Sequence, residues 1–296
     1  MDRLHPVVNF IYFAVVLGCS MVLMHPVCLG ISFVAALCYT IRLFGLHNAG
    51  KGLLGMAGVM LIAAIMNPAF SHQGVTTLCY LPSGNALTLE SIFYGIAAAV
   101  MLGATFMWFR CVSEILTADK IVYLFGRPFP VLAMILSMVL GFLPKMQRKL
   151  LQIRYSQDVR GRKIRSGVSQ ERMWIRQGIA NISLLITWAL QDAVDMADSM
   201  KSRGYGLPGR TAYTTFRFTR WDRSVLVLIL LAAGCLGIGV YQGGFAWEYY
   251  PVTEGAGMSG HTILLSVVYG VLCFLPAGME YVEEYQQKMA MRRTGL

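Results

Sequence analysis

The chain has 296 residues, of which 56% are hydrophobic and only 14% charged, with a formal net charge of +10. A soluble domain is about a quarter charged, so this chain cannot cover itself with a solvated surface, and its solvent is lipid. The positive excess lies beside apolar runs and not on the basic face of a soluble fold, which excludes nucleic acid as a partner and points to a membrane surface.

A bilayer is crossed by about 20 apolar residues, within a range of roughly 17–25. In chain order the runs that qualify are Val7–Met24, Val27–Phe44, Leu53–Phe70, Leu89–Val112, Ser224–Tyr241 and Thr262–Met279. Leu17-Gly18-Cys19 resembles a lipoprotein cleavage site. The apolar run continues to Met24, however, and is read as an uncleaved first span. The expected fold class is therefore an all-α polytopic membrane protein with about six transmembrane helices.

The charges orient these spans. None of the 25 Lys and Arg residues lies in 71–89 or 242–260, whereas ten lie between Lys145 and Arg176 and six between Lys201 and Arg223. The positive-inside rule then predicts a multi-pass protein with both termini cytoplasmic. The expected organisation is an N-terminal membrane region, 1–128, a cytoplasmic coupling-helix region, 129–220, and a C-terminal pair of spans with a basic tail, 221–296.

The middle region differs from the rest. Phe129–Leu143 is apolar but only about 15 residues long, too short for a span, and Pro144 is expected to kink or restart the helix. Met146, Leu150, Ile153 and Gln157 then recur at helical spacing, with Arg160 next on the stripe. Further on, Ile175, Ile179, Ile182, Ile186, Ala189, Ala193, Met196 and Met200 form a second stripe that ends at Arg203. A repeat held for that length predicts a helix laid along another helix. Asp192, Asp195 and Asp198 argue against lipid around it. They are expected to form a solvated face.

Arg160-Gly161 and Arg203-Gly204 stand at the two stripe ends. A glycine cap with a cation at the negative end of the helix dipole accounts for one such pair. Two pairs in the same phase suggest planar cations offered to carboxylates on a partner.

Other motifs are weaker. Gly45–Gly52, GLHNAGKG, has phosphate-loop spacing but lacks the Ser/Thr for magnesium, and it reads as a loop between spans. The seven cysteines and five histidines show no metal-ligand spacing. No catalytic, metal or cofactor-binding residues are expected. The cores of the first three and last two spans hold no ionisable residue, unlike those of ion-coupled carriers. Gly52, Gly55 and Gly58 look like a small-residue face for close helix approach. The rival readings are a self-sufficient secondary transporter and a polytopic membrane enzyme using the three aspartates.

Several short motifs occur together in a recognisable order. They are LHP (Leu4–Pro6), NPAFSHQG (Asn67–Gly74), LTLES (Leu87–Ser91), LFGRPFPVLAMILSMVLGFLPKM (Leu124–Met146), SQDVRGRK around Arg160 and MKSRGYG around Arg203. In these the chain resembles the transmembrane T component of energy-coupling factor (ECF) transporters, the EcfT/CbiQ family. The two Ala-Arg-Gly signatures of that family stand here as Val159-Arg160-Gly161 and Ser202-Arg203-Gly204, with Val159 and Ser202 replacing alanine. The resemblance implies a scaffold in a bacterial or archaeal cell membrane with no cofactor and no enzymatic activity. Its implied partners are two cytoplasmic ABC-type ATPase subunits, engaged by the two arginines, and a membrane-embedded substrate-binding S component for a vitamin or metal ion.

Overall fold

The computed structural model describes residues 4–71, 74–80, 86–126, 128–159, 170–205, 216, 218–251, 253–255 and 259–294. In chain order the elements are α1 (Pro6–Val22), α2 (Pro26–Phe44), α3 (Leu46–Phe70), β1 (Thr77–Tyr80), β2 (Ala86–Thr88), α4 (Leu89–Ile115), α5 (Ala118–Gly126), α6 (Pro130–Val159), α7 (Gln170–Ser202), α8 (Arg220–Tyr241), β3 (Trp247–Glu248), β4 (Glu254–Gly255) and α9 (Gly260–Thr294). They form two units, Met1–Thr117 with Phe216–Leu296, and Ala118–Thr215.

The first unit is a helix bundle in which α4 packs against α1, α2 and α3, while α9 packs against α2 and α8. Its centre is aromatic. Trp108 of α4 is fully buried among the rings of Tyr12, Phe13 and Tyr39, and its indole N–H donates to Ser32 Oγ at 3.2 Å. Asn9, Ser20, Ser32, Thr40 and Ser266 are buried, while Leu54, Leu61, Ile62 and Ile65 of α3 are exposed. This pattern follows from the solvent. Lipid is as apolar as leucine, so small and polar side chains gather between helices and large apolar ones face outward.

Caps and prolines set the ends and crossings of these helices. Pro6 and Pro26 open α1 and α2 at positions where a missing N–H is no loss. A capping box opens α8, where Asp222 Oδ2 accepts from the Thr219 N–H (2.8 Å) and the Thr219 hydroxyl accepts from the Asp222 N–H (3.2 Å). Asp222 Oδ1 also accepts from the His5 N–H at 3.1 Å and so ties α8 to the start of α1. Pro68 leaves the Ala64 carbonyl without its helical donor. Gly95 of α4 comes so close there that a Cβ on it would stand 2.5 Å from that oxygen.

Six helices are long and apolar enough to cross a membrane: α2, α3, α4, the Pro130–Ser156 part of α6, α8, and the Gly260–Val282 part of α9. The number matches the sequence expectation, but the set differs. The expected first span is α1, an apolar helix of 17 residues at the lower limit for crossing. The region read as too short is a single helix of 30 residues that continues through Pro144 without a restart. A proline removes one backbone bond and introduces one clash, which a long helix with other contacts tolerates.

Two further expectations are corrected, and the lysine-free segments show added structure. Gly55 and Gly58 meet nothing within 4 Å, and Gly52 meets only the Arg110 side chain, so this face makes no close helix approach among the described residues. That role falls to Gly95 and to Gly103, the latter against Met60 and Phe33. The GLHNAGKG segment is not a loop, since all but its first residue lie in α3. The lysine-free and arginine-free segments contain short antiparallel hairpins, β1–β2 and β3–β4.

Candidate coupling interface

The second unit carries the residues of interest. Its helices α6 and α7 run antiparallel: the Tyr205 hydroxyl, just past the end of α7, contacts Met134 Sδ near the start of α6. Deeper along the pair, Lys145 Nζ and Lys149 Nζ lie 3.0 Å and 3.4 Å from Asp192 Oδ2. Lys149 also lies over the Trp188 ring, 4.7 Å from its centroid. Lys145 and Lys149 are one turn apart on α6, as are Trp188 and Asp192 on α7, so two adjacent turns clamp two adjacent turns. The Lys145 ammonium, with Lys149 beside it, holds the Asp192 carboxyl below the usual carboxylate range.

This arrangement revises the reading of α7. The partly covered residues of α7, among those described, are Gly178, Asn181, Leu185, Trp188, Ala189, Asp192 and Met200. Of the expected contact stripe, the four isoleucines Ile175, Ile179, Ile182 and Ile186 are instead between 55% and 64% exposed, Ala193 and Met196 are exposed too, and only Ala189 and Met200 are partly covered. Periodicity located the stripe, but it could not say whether this chain or another would cover it. Among the three aspartates, Asp195 and Asp198 are exposed as expected, while Asp192 is an inter-helix clamp. Among the described residues no group of three or more His, Cys, Asp or Glu side chains could hold a metal ion.

At the end of α7, Gly204 has φ +76°, a conformation glycine adopts without the penalty of a Cβ. Its N–H donates to the Lys201 carbonyl at 3.0 Å, and the Tyr205 N–H donates to the Met200 carbonyl at 3.0 Å. Together these are the paired bonds of a Schellman cap, with Ser202 as the last helical residue and Arg203 as the C-cap. Ser202 Oγ donates to the Ser199 carbonyl at 2.9 Å. The cap explains the glycine and makes no demand on the side chain before it. Arg203 and Ser202 are both exposed.

The matching position on the other helix follows Val159, the last residue of α6. Arg160 and Gly161 lie outside the described residues. Because the helices are antiparallel, Val159 and Ser202 stand at opposite ends of the pair. Met134, beside Tyr205, is 25 residues from Val159, or roughly 37 Å at 1.5 Å per residue.

The fold and these helix ends define a class: a multi-pass α-helical membrane protein with a separate unit whose long antiparallel helices present an exposed arginine at a capped end. No family model matches the chain. Curated relatives do, each an energy-coupling factor transporter transmembrane protein EcfT. That of Lactobacillus helveticus is 28% identical over 159 residues, 48% of this chain and 56% of the relative. That of Exiguobacterium sibiricum is 30% identical over 166 residues, 51% of this chain and 62% of the relative. That of Bacillus subtilis is 26% identical over 193 residues, 62% of this chain and 72% of the relative. The chain thus spans little more than half the length of the first two relatives. Matches at this level over about half the chain support membership of the EcfT family.

Proposed function

We propose that this chain is the transmembrane coupling (T) component of an ECF-type ABC importer. In this reading it carries motion from two cytoplasmic ATPases to a membrane-embedded S component that takes up a vitamin or metal ion, and it performs no catalysis itself. The observation that carries it is the end of α7, where a Schellman cap closes the helix and leaves Arg203 exposed on a separate unit. The end of α7 and the end of α6 at Val159 stand at opposite extremes of one helix pair, which suits two motor subunits. The uncovered isoleucine row on α7 then serves as the contact for the S component.

Site residues follow from the same reading. Arg203 and Arg160 dock into acidic grooves on the ATPases, each followed by the glycine of the signature, Gly204 and Gly161, with Ser202 and Val159 at the alanine positions. The domain division at 129–220 and the cytoplasmic placement of both termini belong to the proposal as well.

Co-purification in detergent tests the function. The tagged chain, expressed with its cellular partners, should bring down two ATPase subunits and one small membrane protein. Recovery of the chain with no ATPase, from membranes shown to contain the subunits, would count against the coupling role. Thiol labelling tests the orientation separately. In a cysteine-free background Thr253→Cys should react with an impermeant reagent from outside, and Ser166→Cys only after lysis.

A further inference from the structure

Helices α8 and α9 do not close against each other along their whole length. A groove of about 460 Å³ runs between them, lined by Ser224, Leu228, Leu231 and Cys235 on one wall and by Val268 and Leu272 on the other. From Ser224 to Cys235 is 11 residues of helix, about 16 Å at 1.5 Å per residue. That is close to half of a hydrocarbon core about 30 Å thick. The groove is therefore as long as one leaflet is deep.

One end of the groove is charged. Arg220 precedes Ser224 by four residues and Arg223 precedes Val227 by four, so both continue the lining rows by one turn, and both are exposed. Trp221, 62% exposed, lies between them in sequence, a residue type suited to the headgroup level. Two acids near this end are engaged elsewhere. Asp222 is buried against His5 and Thr219, and Glu280 of α9 accepts from the Tyr39 hydroxyl at 3.0 Å. The two guanidinium groups have no ion-pair partner among the described residues. A slot of acyl-chain length and composition thus ends at two cations with an aromatic beside them.

We propose that this groove binds one anionic phospholipid, its phosphate on Arg220 and Arg223 and one acyl chain along the α8–α9 slot. A guanidinium fork suits a phosphate geometrically, and the apolar walls suit a chain but offer nothing to a polar ligand. The site needs only that the chain be embedded in a bilayer and stands independently of the coupling role.

Native mass spectrometry of the full chain in detergent, titrated with dioleoylphosphatidylglycerol or dioleoylphosphatidylcholine, tests it. Each arginine near an anionic headgroup contributes about a fivefold preference. The wild-type chain should therefore retain one phosphatidylglycerol at least about tenfold more tightly than phosphatidylcholine. Arg220→Gln with Arg223→Gln should bring the two lipids close to equal. Filling the slot from either wall, by Ala232→Phe on α8 or Val268→Phe on α9, both lining residues, should remove most retention of both lipids while circular dichroism stays unchanged. Using both walls keeps the test valid if one variant fails to fold. Equal retention of the two lipids by wild type would overturn the proposal. So would wild-type retention in a folded slot-filled variant, which would reduce the effect to surface charge. A wild-type dimer broken by the slot-filling changes would assign the groove to a second copy of the chain.

Discussion

The Tyr12 hydroxyl donates to the backbone carbonyl of Leu272 at 3.2 Å, and Leu272 is the residue whose helical donor is missing because Pro276 has no N–H. Both residues are fully buried. An α1 side chain thus substitutes for a backbone bond that α9 cannot make, which joins two elements 260 residues apart in the sequence.

This substitution has a measurable consequence. Tyr12→Phe strands a buried carbonyl, which costs about 1–3 kcal/mol, although hydrogen bonds between helices in membranes average nearer ~0.6 kcal/mol. Pro276→Ala restores the N–H and should shrink the penalty. In a double-mutant cycle read by denaturant unfolding in detergent, the Tyr12→Phe loss should fall toward zero in the Pro276→Ala background. An equal loss in both backgrounds would separate the tyrosine from the proline.

Gly95 makes a second proline-dependent contact. A Cβ there would stand 2.5 Å from the Ala64 oxygen and 3.1 Å from Pro68 Cδ, both fixed by α3. Gly95→Ala should therefore destabilise the chain by about 1–3 kcal/mol, the usual range for overpacking. Gly55→Ala and Gly58→Ala meet open space and should be neutral or slightly stabilising, because alanine favours the helix by up to ~1 kcal/mol over glycine. Comparing the three in one detergent separates the glycines that pack from those that do not.

What the sequence could reveal depended on which physical signal each feature leaves. Low charge and run length exposed the membrane class and located α2, α3, α4, α8 and α9, because every lipid-exposed residue must be apolar. The same solvent hides the interior. With lipid outside, hydropathy does not separate the packed face of a helix from the outer one, so Gly52, Gly55 and Gly58 were indistinguishable from Gly95 and Gly103. Pro144 signals a break in α6 because proline is a breaker on average, not in every helix. On α7 the isoleucine row stood out, yet the partly covered residues included Gly178, Asn181 and Asp192, which no hydrophobic pattern would select. Lys145, Lys149 and Asp192 were visible as charges but not as a clamp, since pairing between distant segments leaves no local trace. The cap at Gly204 was legible because its cause is local.

The clamp gives a pH dependence with a definite sign. The folded-state pKa of Asp192 lies below that of the unfolded chain, so its contribution is fully present above the unfolded value, about 3.9. It is lost as pH falls through the lower folded value. The wild-type advantage over Asp192→Asn in thermal unfolding should therefore be constant near neutrality and vanish under acid conditions. An advantage that grows on acidification would contradict the clamp.

The end of α7 allows helix capping and partner docking to be separated by two different substitutions. Gly204 at φ +76° supports the cap, and Gly204→Ala places a Cβ in the left-handed region at a cost of roughly 1–2 kcal/mol. That change should fray the last turn and lower stability whatever Arg203 does. Arg203→Lys leaves the cap unaltered and keeps the charge that the helix dipole favours, but it loses the planar fork. If the arginine only complements the dipole, lysine should behave as wild type in every assay, because that interaction is worth about 0.3–1 kcal/mol and needs only a positive charge. If Arg203 enters a groove on an ATPase, truncating a buried charge pair at that interface costs about 2–5 kcal/mol. Arg203→Lys should then weaken ATPase association in a quantitative pull-down while the melting temperature of the isolated chain stays unchanged. Arg203→Glu should abolish association, and Arg160→Glu should do the same for the second subunit, with the double variant worse than either. Wild-type assembly and transport by a chain carrying lysine at both positions would leave capping as the whole account of these residues.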